Sequence, residues 1–119
     1  MVETALKEQV MTPKLRRIVA NAREATDFLK AVSHESRLLI LCFLADGEKS
    51  VTELEEILDL RQPTVSQQLA RLRMDRLVTT RRDGKTIYYS LASDDTRLII
   101  DAIYEVFCCT EDLRRSVAE

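Results

Sequence analysis

The spacing of apolar side chains along the chain predicts five helices, of which the first is amphipathic and the second is buried. Thr12-Pro13 is suited to an N-cap followed by proline at the first helical position. The first helix then has apolar residues at intervals of three and four. These residues are Leu15, Ile18, Val19, Ala22, Ala25, Phe28, Leu29 and Val32. Ser33 is suited to cap the second helix. Its run from Leu38 to Ala45 is apolar on every side, which predicts a central position.

The third and fourth helices are predicted from capping signals and from one apolar face each. Ser50 and Glu53 have the spacing of a capping box at the start of the third helix. The fourth helix has Pro63 at its first position. Its buried face is predicted to consist of Val65, Leu69 and Leu72. Two short helices joined by a turn of a few residues favour a helix-turn-helix.

A hairpin and a fifth helix complete the pattern. Strands are predicted at about residues 78–82 and 85–91, on either side of Asp83-Gly84, which is the strongest short-range hairpin signal. Ser93 starts the fifth helix, whose apolar face is wider than one small core needs. The first and fifth helices together have more apolar surface than this core can cover. We therefore predict a homodimer that pairs through these two helices.

The length and composition predict one small domain. At 119 residues the chain is expected to form a single domain over residues 1–119, with residues 1–11 loosely ordered. The longest apolar run is too short to span a bilayer. The first residues lack the basic start and apolar core of a secretory signal. We expect a cytoplasmic protein with no membrane segment, in which the three cysteines are reduced thiols.

Charge is distributed unevenly along the chain, although its net value is only −2. Residues 61–85 include seven basic and two acidic residues, a net charge of +5. The rest of the chain has 11 basic and 18 acidic residues, a net charge of −7. A basic face on an acidic body orients a protein towards phosphate groups, which favours a nucleic-acid partner.

The fourth helix and the hairpin carry side chains that are suited to duplex DNA. Hydroxyls, amides and arginine on the exposed helix face can pair with base edges or with phosphate. Basic residues beside the hairpin tip can contact phosphates or the minor groove. The predicted DNA-binding residues are Gln62, Thr64, Ser66, Gln67, Gln68, Arg71, Arg81, Arg82 and Lys85. A polar helix followed by a basic hairpin predicts a winged helix-turn-helix that binds double-stranded operator DNA at an inverted repeat.

Three segments of the chain resemble the ArsR family of winged-helix repressors. They are LADGEKSVTEL from Leu44, RQPTVSQQL from Arg61, and the RRDGK hairpin from Arg81 with Tyr88-Tyr89 after it. The resemblance covers residues from about 14 to 109. It implies a mainly α fold with a β-hairpin wing, in the order of four helices, two strands and a fifth helix. It also implies a homodimer through the first and fifth helices, and repression by operator binding that an inducer relieves.

The chain lacks the ligand sets of metal-sensing ArsR proteins. Those similar proteins have a Cys-x-Cys segment on the third helix, or histidines and carboxylates on the fifth. Here the third-helix segment, residues 50–53, has no thiol, and the chain's one histidine is His34, which we interpret as a structural residue at a helix start. We therefore expect no site for zinc, cobalt or nickel, and no cofactor.

Three thiols are the candidates for the inducer response. The sequences around Cys42 and Phe107-Cys108 resemble the persulfide-responsive branch of the family, the BigR and SqrR repressors. This resemblance implies a redox switch in which reactive sulfur species join Cys42 to Cys108 by a disulfide or a longer sulfur bridge. Adjacent residues on a helix point about 100° apart, so only one of Cys108 and Cys109 can easily face Cys42. The match after Phe107 indicates Cys108.

Other hypotheses stay open at this point. Cys42, Cys108 and Cys109 can be combined into a tri-thiolate site for arsenite or another thiophilic ion. Free cysteines also often serve only as packing. The winged-helix shape is also compatible with a protein-interaction module, which a salt-dependent DNA-binding assay distinguishes from a DNA-binding protein. The sequence has no nucleophile–base pair, phosphate-binding glycine loop or metal triad, so we expect no enzymatic activity.

Overall fold

The computed structural model of the protein describes residues 11–109. The helices are α1 (Pro13–Val32), α2 (Glu35–Ala45), α3 (Val51–Leu58), α4 (Gln62–Met74) and α5 (Asp94–Tyr104), and a π-helical turn (Glu105–Cys109) continues α5. The strands are β1 (Lys49–Ser50), β2 (Val78–Asp83) and β3 (Thr86–Leu91). The predicted winged helix-turn-helix fold is confirmed. Apart from Met11, the segment 1–11 that was predicted to be loosely ordered lies outside the described residues.

Helix α2 lies at the centre of the hydrophobic core. Its residues Ile40, Leu41 and Leu44 are at most 1% exposed. They belong to one cluster with buried residues from α1, α3, α4, α5 and the start of β2. The other members are Ala31, Val32, Leu54, Val65, Leu69, Leu72, Leu77, Val78 and Ile100. The predicted central position of this helix is therefore confirmed, although Leu39 on its outer side is exposed.

The boundary between α1 and α2 differs from the sequence prediction. Helix α2 begins at Glu35, and its N-cap is His34, whose side chain makes no capping hydrogen bond. Ser33 instead ends α1, because its hydroxyl donates a hydrogen bond to the Lys30 carbonyl oxygen at 2.9 Å. A hydroxyl can satisfy the free backbone groups at either end of a helix. The pattern of residues alone does not determine which of two adjacent helices Ser33 caps.

The capping box at the start of α3 forms as predicted. The Ser50 hydroxyl accepts a hydrogen bond from the Glu53 backbone N–H at 3.2 Å. The Glu53 carboxylate accepts one from the Ser50 backbone N–H at 3.0 Å. These reciprocal bonds satisfy two donors that the helix geometry leaves without an internal acceptor. They fix the start of the helix-turn-helix relative to β1.

Replacing the capping hydroxyl is expected to destabilise the fold without touching the polar face of α4. Ser50→Ala should lower the free energy of unfolding by about 1 kcal/mol, because the Glu53 N–H loses its acceptor. Urea unfolding followed by circular dichroism measures this change. Thr52→Ala, an exposed substitution on the same helix, is the control and should stay within about 0.5 kcal/mol of the parent. Equal stability of Ser50→Ala and the parent contradicts a structural role for this cap.

The wing is a three-stranded antiparallel sheet in the order β1-β3-β2. Asp83 pairs with Thr86, so Gly84 and Lys85 form the two-residue connection. Gly84 has φ 65°, in the left-handed region that glycine adopts without steric cost. Strand β1 pairs with β3 through Lys49–Tyr89 and Ser50–Tyr88. The sequence analysis missed β1 because two residues are too short to show an alternating pattern.

Helices α1 and α5 expose broad apolar surfaces within the described chain. Only Ala31 and Val32 of α1 are buried. The exposed apolar residues are Leu15, Ile18, Val19 and Leu29 on α1, and Leu98, Ile99, Val106 and Phe107 on α5 and its π-helical turn. Exposed apolar patches of this size are typical of interaction surfaces. No helix within residues 11–109 is both long and apolar enough to cross a membrane.

Candidate DNA-binding face and thiol pair

Helices α3 and α4 form the helix-turn-helix, which depends on a tight turn at Asp59. Asp59 has φ 54° and ψ 46°, a left-handed conformation that aspartate tolerates better than most residues. The Leu60 backbone N–H donates a hydrogen bond to the Glu55 carbonyl oxygen at 3.3 Å, which closes the turn. Helix α4 then starts with Pro63 in its first turn. The turn places the apolar face of α4 against the core and its polar face outwards.

The six residues of α4 that were predicted to bind DNA differ in their exposure and in their position around the helix. Its buried face is fully excluded from solvent at Val65, Leu69 and Leu72. Gln62, Gln67 and Arg71 are exposed, and Thr64, Ser66 and Gln68 are half-buried. At 100° per residue, Thr64, Gln67 and Arg71 lie on the side opposite the buried face, whereas Gln62, Ser66 and Gln68 lie nearer its edges. This arrangement can present donors and acceptors to the base edges of a major groove.

Two local contacts order this face. The Gln62 side-chain amide donates a hydrogen bond to the Ser66 hydroxyl at 2.7 Å, one helical turn away. Arg71 Nε donates to Asp75 Oδ2 at 3.1 Å, and 57% of the Arg71 side chain is still exposed. Pairs with this spacing contribute a few tenths of a kcal/mol to a helix. They restrict the rotamers of side chains that would otherwise lose more entropy on binding.

All three basic residues predicted at the hairpin are exposed, but Arg81 differs from the other two in having a carboxylate partner. Arg82 and Lys85 are exposed. Arg81 is also solvent-accessible, but its Nε donates a hydrogen bond to Glu48 Oε2 at 3.1 Å, and its NH2 group contacts Glu48 Oε1. That hydrogen bond holds the pKa of Glu48 below its usual range. The sequence analysis missed Glu48 because it lies 33 residues from Arg81 and belongs to no recognisable motif.

Cys42 and Cys108 are the two thiols between which a bridge was predicted. Cys42 is half-buried on α2, and Cys108 is exposed on the π-helical turn that follows α5. Burial raises the pKa of the Cys42 thiol, and the nearby Cys108 raises it further. Cys42 on the core helix and Cys108 at the end of α5 therefore lie within electrostatic range of each other.

Cys109 lies in a different environment from Cys108. Residues Glu105–Cys109 form a π-helical turn, so the angle expected for a regular α-helix does not apply there. Cys109 is half-buried. Burial and the carboxylate of Glu105, to which the thiol donates a hydrogen bond, raise its pKa, while a hydrogen bond with Tyr104 acts in the opposite direction. Cys109 thus has partners on its own helical turn.

The three thiols are not arranged as a ready metal site. Among residues 11–109, no three His, Cys, Asp or Glu side chains are grouped so that they could hold a metal ion. Cys42, Cys108 and Cys109 do not form such a group in the part of the chain that the structure describes.

The sequence is similar to those of bacterial transcriptional regulators over most of its length. Residues 34–80 match the family model of the bacterial regulatory protein, arsR family. The biofilm growth-associated repressor of Agrobacterium fabrum is 50% identical over 91 residues, which span 76% of this chain and 78% of that protein. The similarity therefore extends well beyond the helix-turn-helix.

Solved structures share the architecture. The transcriptional repressor BigR from Xylella fastidiosa superposes with a TM-score of 0.76 at 41% identity, over 82% of this chain and 98% of that one. The homodimeric winged helix-turn-helix DNA-binding domain Mb0332 from Mycobacterium bovis, described as a possible ArsR-family regulator, has a TM-score of 0.66 at 29% identity. That match covers 81% of this chain and 89% of the other.

Proposed function

Because this chain belongs to the ArsR family of bacterial transcriptional regulators, we propose that it is a homodimeric repressor with a dithiol switch. It binds operator DNA while Cys42 and Cys108 are reduced, and reactive sulfur species release it by joining these two residues. The observation that carries the proposal is that Cys42 on the core helix α2 and Cys108 on the turn after α5 interact electrostatically within one chain, an effect that adds to burial in raising the pKa of the Cys42 thiol. The similar proteins described above are regulators and repressors, which supports DNA binding as the activity rather than catalysis.

The proposed dimer forms through α1 and α5. Phe107 and Leu98 are 66% and 67% exposed, and Leu29 on α1 is 60% exposed. Leaving such residues in water is unfavourable, and a second copy covers them with equivalent apolar surface. The M. bovis domain with the same fold is described as homodimeric, which supports this assembly. A twofold dimer then presents two copies of α4 to the two halves of an inverted repeat.

In the proposed complex, α4 enters the major groove and the wing contacts the backbone. The α4 contacts come from the polar residues Gln62, Thr64, Ser66, Gln67, Gln68 and Arg71. Glutamine can pair with adenine, and arginine with guanine, through two hydrogen bonds each. Arg82 and Lys85 at the wing tip bind phosphates, so affinity should fall linearly with the logarithm of salt concentration.

Cys108 reacts first, because its side chain is exposed to a reagent in solvent. The Cys108 thiolate attacks the outer sulfur of glutathione persulfide. A sulfur–sulfur bond forms on Cys108, the sulfur–sulfur bond of glutathione persulfide breaks, and glutathione leaves as its thiolate. Cys108 is then a persulfide, and the oxidising equivalent of the donor has been transferred to the protein.

The second step closes the bridge at Cys42. The Cys42 sulfur attacks the inner sulfur of the Cys108 persulfide, Sγ, and the outer sulfur leaves as hydrosulfide. The proton of the Cys42 thiol converts this hydrosulfide to hydrogen sulfide. If Cys108 carries a longer sulfur chain, attack further along it leaves one or two extra sulfur atoms in the bridge. A direct disulfide needs Cα atoms within about 7 Å, so a wider native separation favours the longer bridge and discriminates persulfides from peroxide.

A bridge at this place links the core helix to the dimerisation helix. Cys42 lies on α2, which packs against α4, and Cys108 follows α5. Joining them constrains α5 relative to the helix-turn-helix of the same chain. Because α5 sets the proposed dimer geometry, the spacing of the two α4 helices changes and no longer matches two half-sites.

The function is tested by fluorescence anisotropy with an inverted-repeat duplex from the upstream region of the protein's own gene. Reduced protein is expected to bind, glutathione persulfide to lower the affinity, and dithiothreitol to restore it. Operator binding that is unchanged by glutathione persulfide refutes the proposed thiol switch. Failure of the reduced protein to bind any operator duplex at low salt refutes the repressor.

Metal ions are expected to leave the operator complex intact. The described residues hold no group of three metal-ligating side chains, so zinc, cobalt and nickel should not change affinity by more than about twofold. The same titration with arsenite tests the tri-thiolate alternative. Stoichiometric release by arsenite, lost in Cys109→Ser, would establish the alternative and overturn the dithiol proposal. Magnesium serves as the control for ionic strength.

A further inference from the structure

The guanidinium of Arg81 is held by three neighbours on the wing and the adjoining loop. It makes a two-point contact with the Glu48 carboxylate, in which Nε lies 3.1 Å from Oε2 and NH2 contacts Oε1. Its NH1 group lies 4.0 Å from Asp83 Oδ2. The guanidinium carbon lies 4.7 Å from the centre of the Tyr88 ring, on the strand opposite. Two carboxylates and a ring face therefore surround one cation.

Glu48 belongs to the loop that follows α2, so this contact joins two parts of the fold. The loop is ordered at both ends: Arg97 of α5 donates a hydrogen bond to the Ala45 carbonyl at the end of α2, and Lys49 pairs with Tyr89 in the sheet. The Lys49 ammonium also donates to the Gly47 carbonyl at 3.1 Å. The backbone on both sides of Glu48 is therefore held in place.

We infer that Arg81 is a positioning residue of the wing and does not bind a DNA phosphate. This inference rests on the proposed function, in which the wing contacts the DNA backbone. The carboxylates of Glu48 and Asp83 neutralise the guanidinium, and the Glu48 contact occupies one edge of its planar fork. The other edge, which includes NH1, faces the Asp83 carboxylate at 4.0 Å, and that carboxylate repels a phosphate. The adjacent Arg82 and Lys85 supply the charge, and the Arg81–Glu48 pair fixes the hairpin that carries them.

The direction in which Glu48→Gln changes DNA affinity distinguishes a positioning role of Glu48 from simple charge repulsion. Removing an acidic charge beside a DNA-binding surface ordinarily strengthens binding, because repulsion of phosphate decreases. If Glu48 orders the wing, Glu48→Gln weakens binding instead. We expect a loss of about fivefold, the upper range for an accessible ion pair with good geometry. Glu56→Gln, an exposed acid on α3 with the same charge change, is the control and should leave affinity equal or slightly higher.

Arg81 and Arg82 form a matched pair for the second measurement. Arg82→Ala removes one phosphate contact from each protomer of the proposed dimer, so the slope of log affinity against log salt should decrease by about 1.8. Arg81→Ala should weaken binding about fivefold with the slope unchanged. Lysine retains the charge but cannot make the two-point contact, so Arg81→Lys should resemble Arg81→Ala, whereas Arg82→Lys should bind like the parent.

A readout without DNA keeps this inference separate from the proposed function. Hydrogen exchange of the β2 and β3 amides, measured by NMR on free protein, should accelerate in Glu48→Gln and Arg81→Lys and stay unchanged in Arg82→Lys. Unchanged exchange in all three variants, tighter DNA binding by Glu48→Gln, or a reduced salt slope in Arg81→Ala overturns the positioning role. Absence of DNA binding by the parent refutes the repressor proposal and leaves the exchange result to decide the role of Arg81.

Discussion

Cys42→Ser and Cys108→Ser are each expected to remain bound to the operator when glutathione persulfide is added. The parent should lose affinity by roughly 5- to 150-fold, the usual range of an allosteric coupling. Cys108→Ser removes the exposed thiol that accepts the first sulfur, and Cys42→Ser removes the thiol that closes the bridge. Either variant therefore loses the whole response while its affinity without the donor stays close to that of the parent. Anisotropy titrations with and without donor measure both quantities.

Cys109→Ser is the matched control for these two variants. Its thiol has its hydrogen-bond partners, Tyr104 and Glu105, on its own helical turn. The Cys109→Ser variant should still release DNA when glutathione persulfide is added. An unresponsive Cys109→Ser together with a responsive Cys108→Ser identifies Cys109 as the true partner of Cys42. A normal response in all three variants means that the cysteines are packing residues.

Alanine substitutions on the polar face of α4 are expected to give the second large effect. Gln67→Ala and Arg71→Ala should each cost about 1–3 kcal/mol of operator binding and relax the preference for one base pair. Both side chains are exposed on the side opposite Leu69 and Leu72. Competition titrations against duplexes with single base-pair changes measure affinity and preference together.

Arg73→Ala provides the control for charge on the same helix. Arg73 is exposed but lies two residues from Arg71, and residues two apart on a helix do not share a face. Its loss should weaken binding only slightly and leave base preference unchanged. If Gln67→Ala and Arg71→Ala also leave affinity and preference intact, α4 is not the recognition helix.

The sequence predicted the elements of the fold because most of their signals are local. The spacing of Val65, Leu69 and Leu72 defines one face of α4, and Asp83-Gly84 defines the hairpin. The capping box of Ser50 and Glu53 also involves residues that are close in sequence. Periodicity and turn chemistry act over a few residues, so one chain is enough to detect them.

Features that depend on tertiary contact were not predictable in this way. The pairing of Arg81 with Glu48 joins residues 33 positions apart, and a count of basic residues assigned Arg81 to DNA in the same manner as Arg82. The π-helical turn at Glu105–Cys109 interrupts a pattern that otherwise resembles a regular helix. The choice of Cys108 rested on resemblance to a family, and its electrostatic interaction with Cys42 depends on tertiary structure that the sequence does not display.

The central claim is a bridge between Cys42 and Cys108 within one chain, and mass spectrometry tests it most directly. Reduced protein is treated with glutathione persulfide, beside samples treated with peroxide and with arsenite, and intact mass is followed by peptide mapping. We predict a monomer that has lost the two thiol hydrogens and gained zero, one or two sulfur atoms. Mapping should recover a cross-link between the peptides that contain Cys42 and Cys108, in step with DNA release. DNA release with both thiols unmodified, or with a cross-link only between chains, would contradict the account.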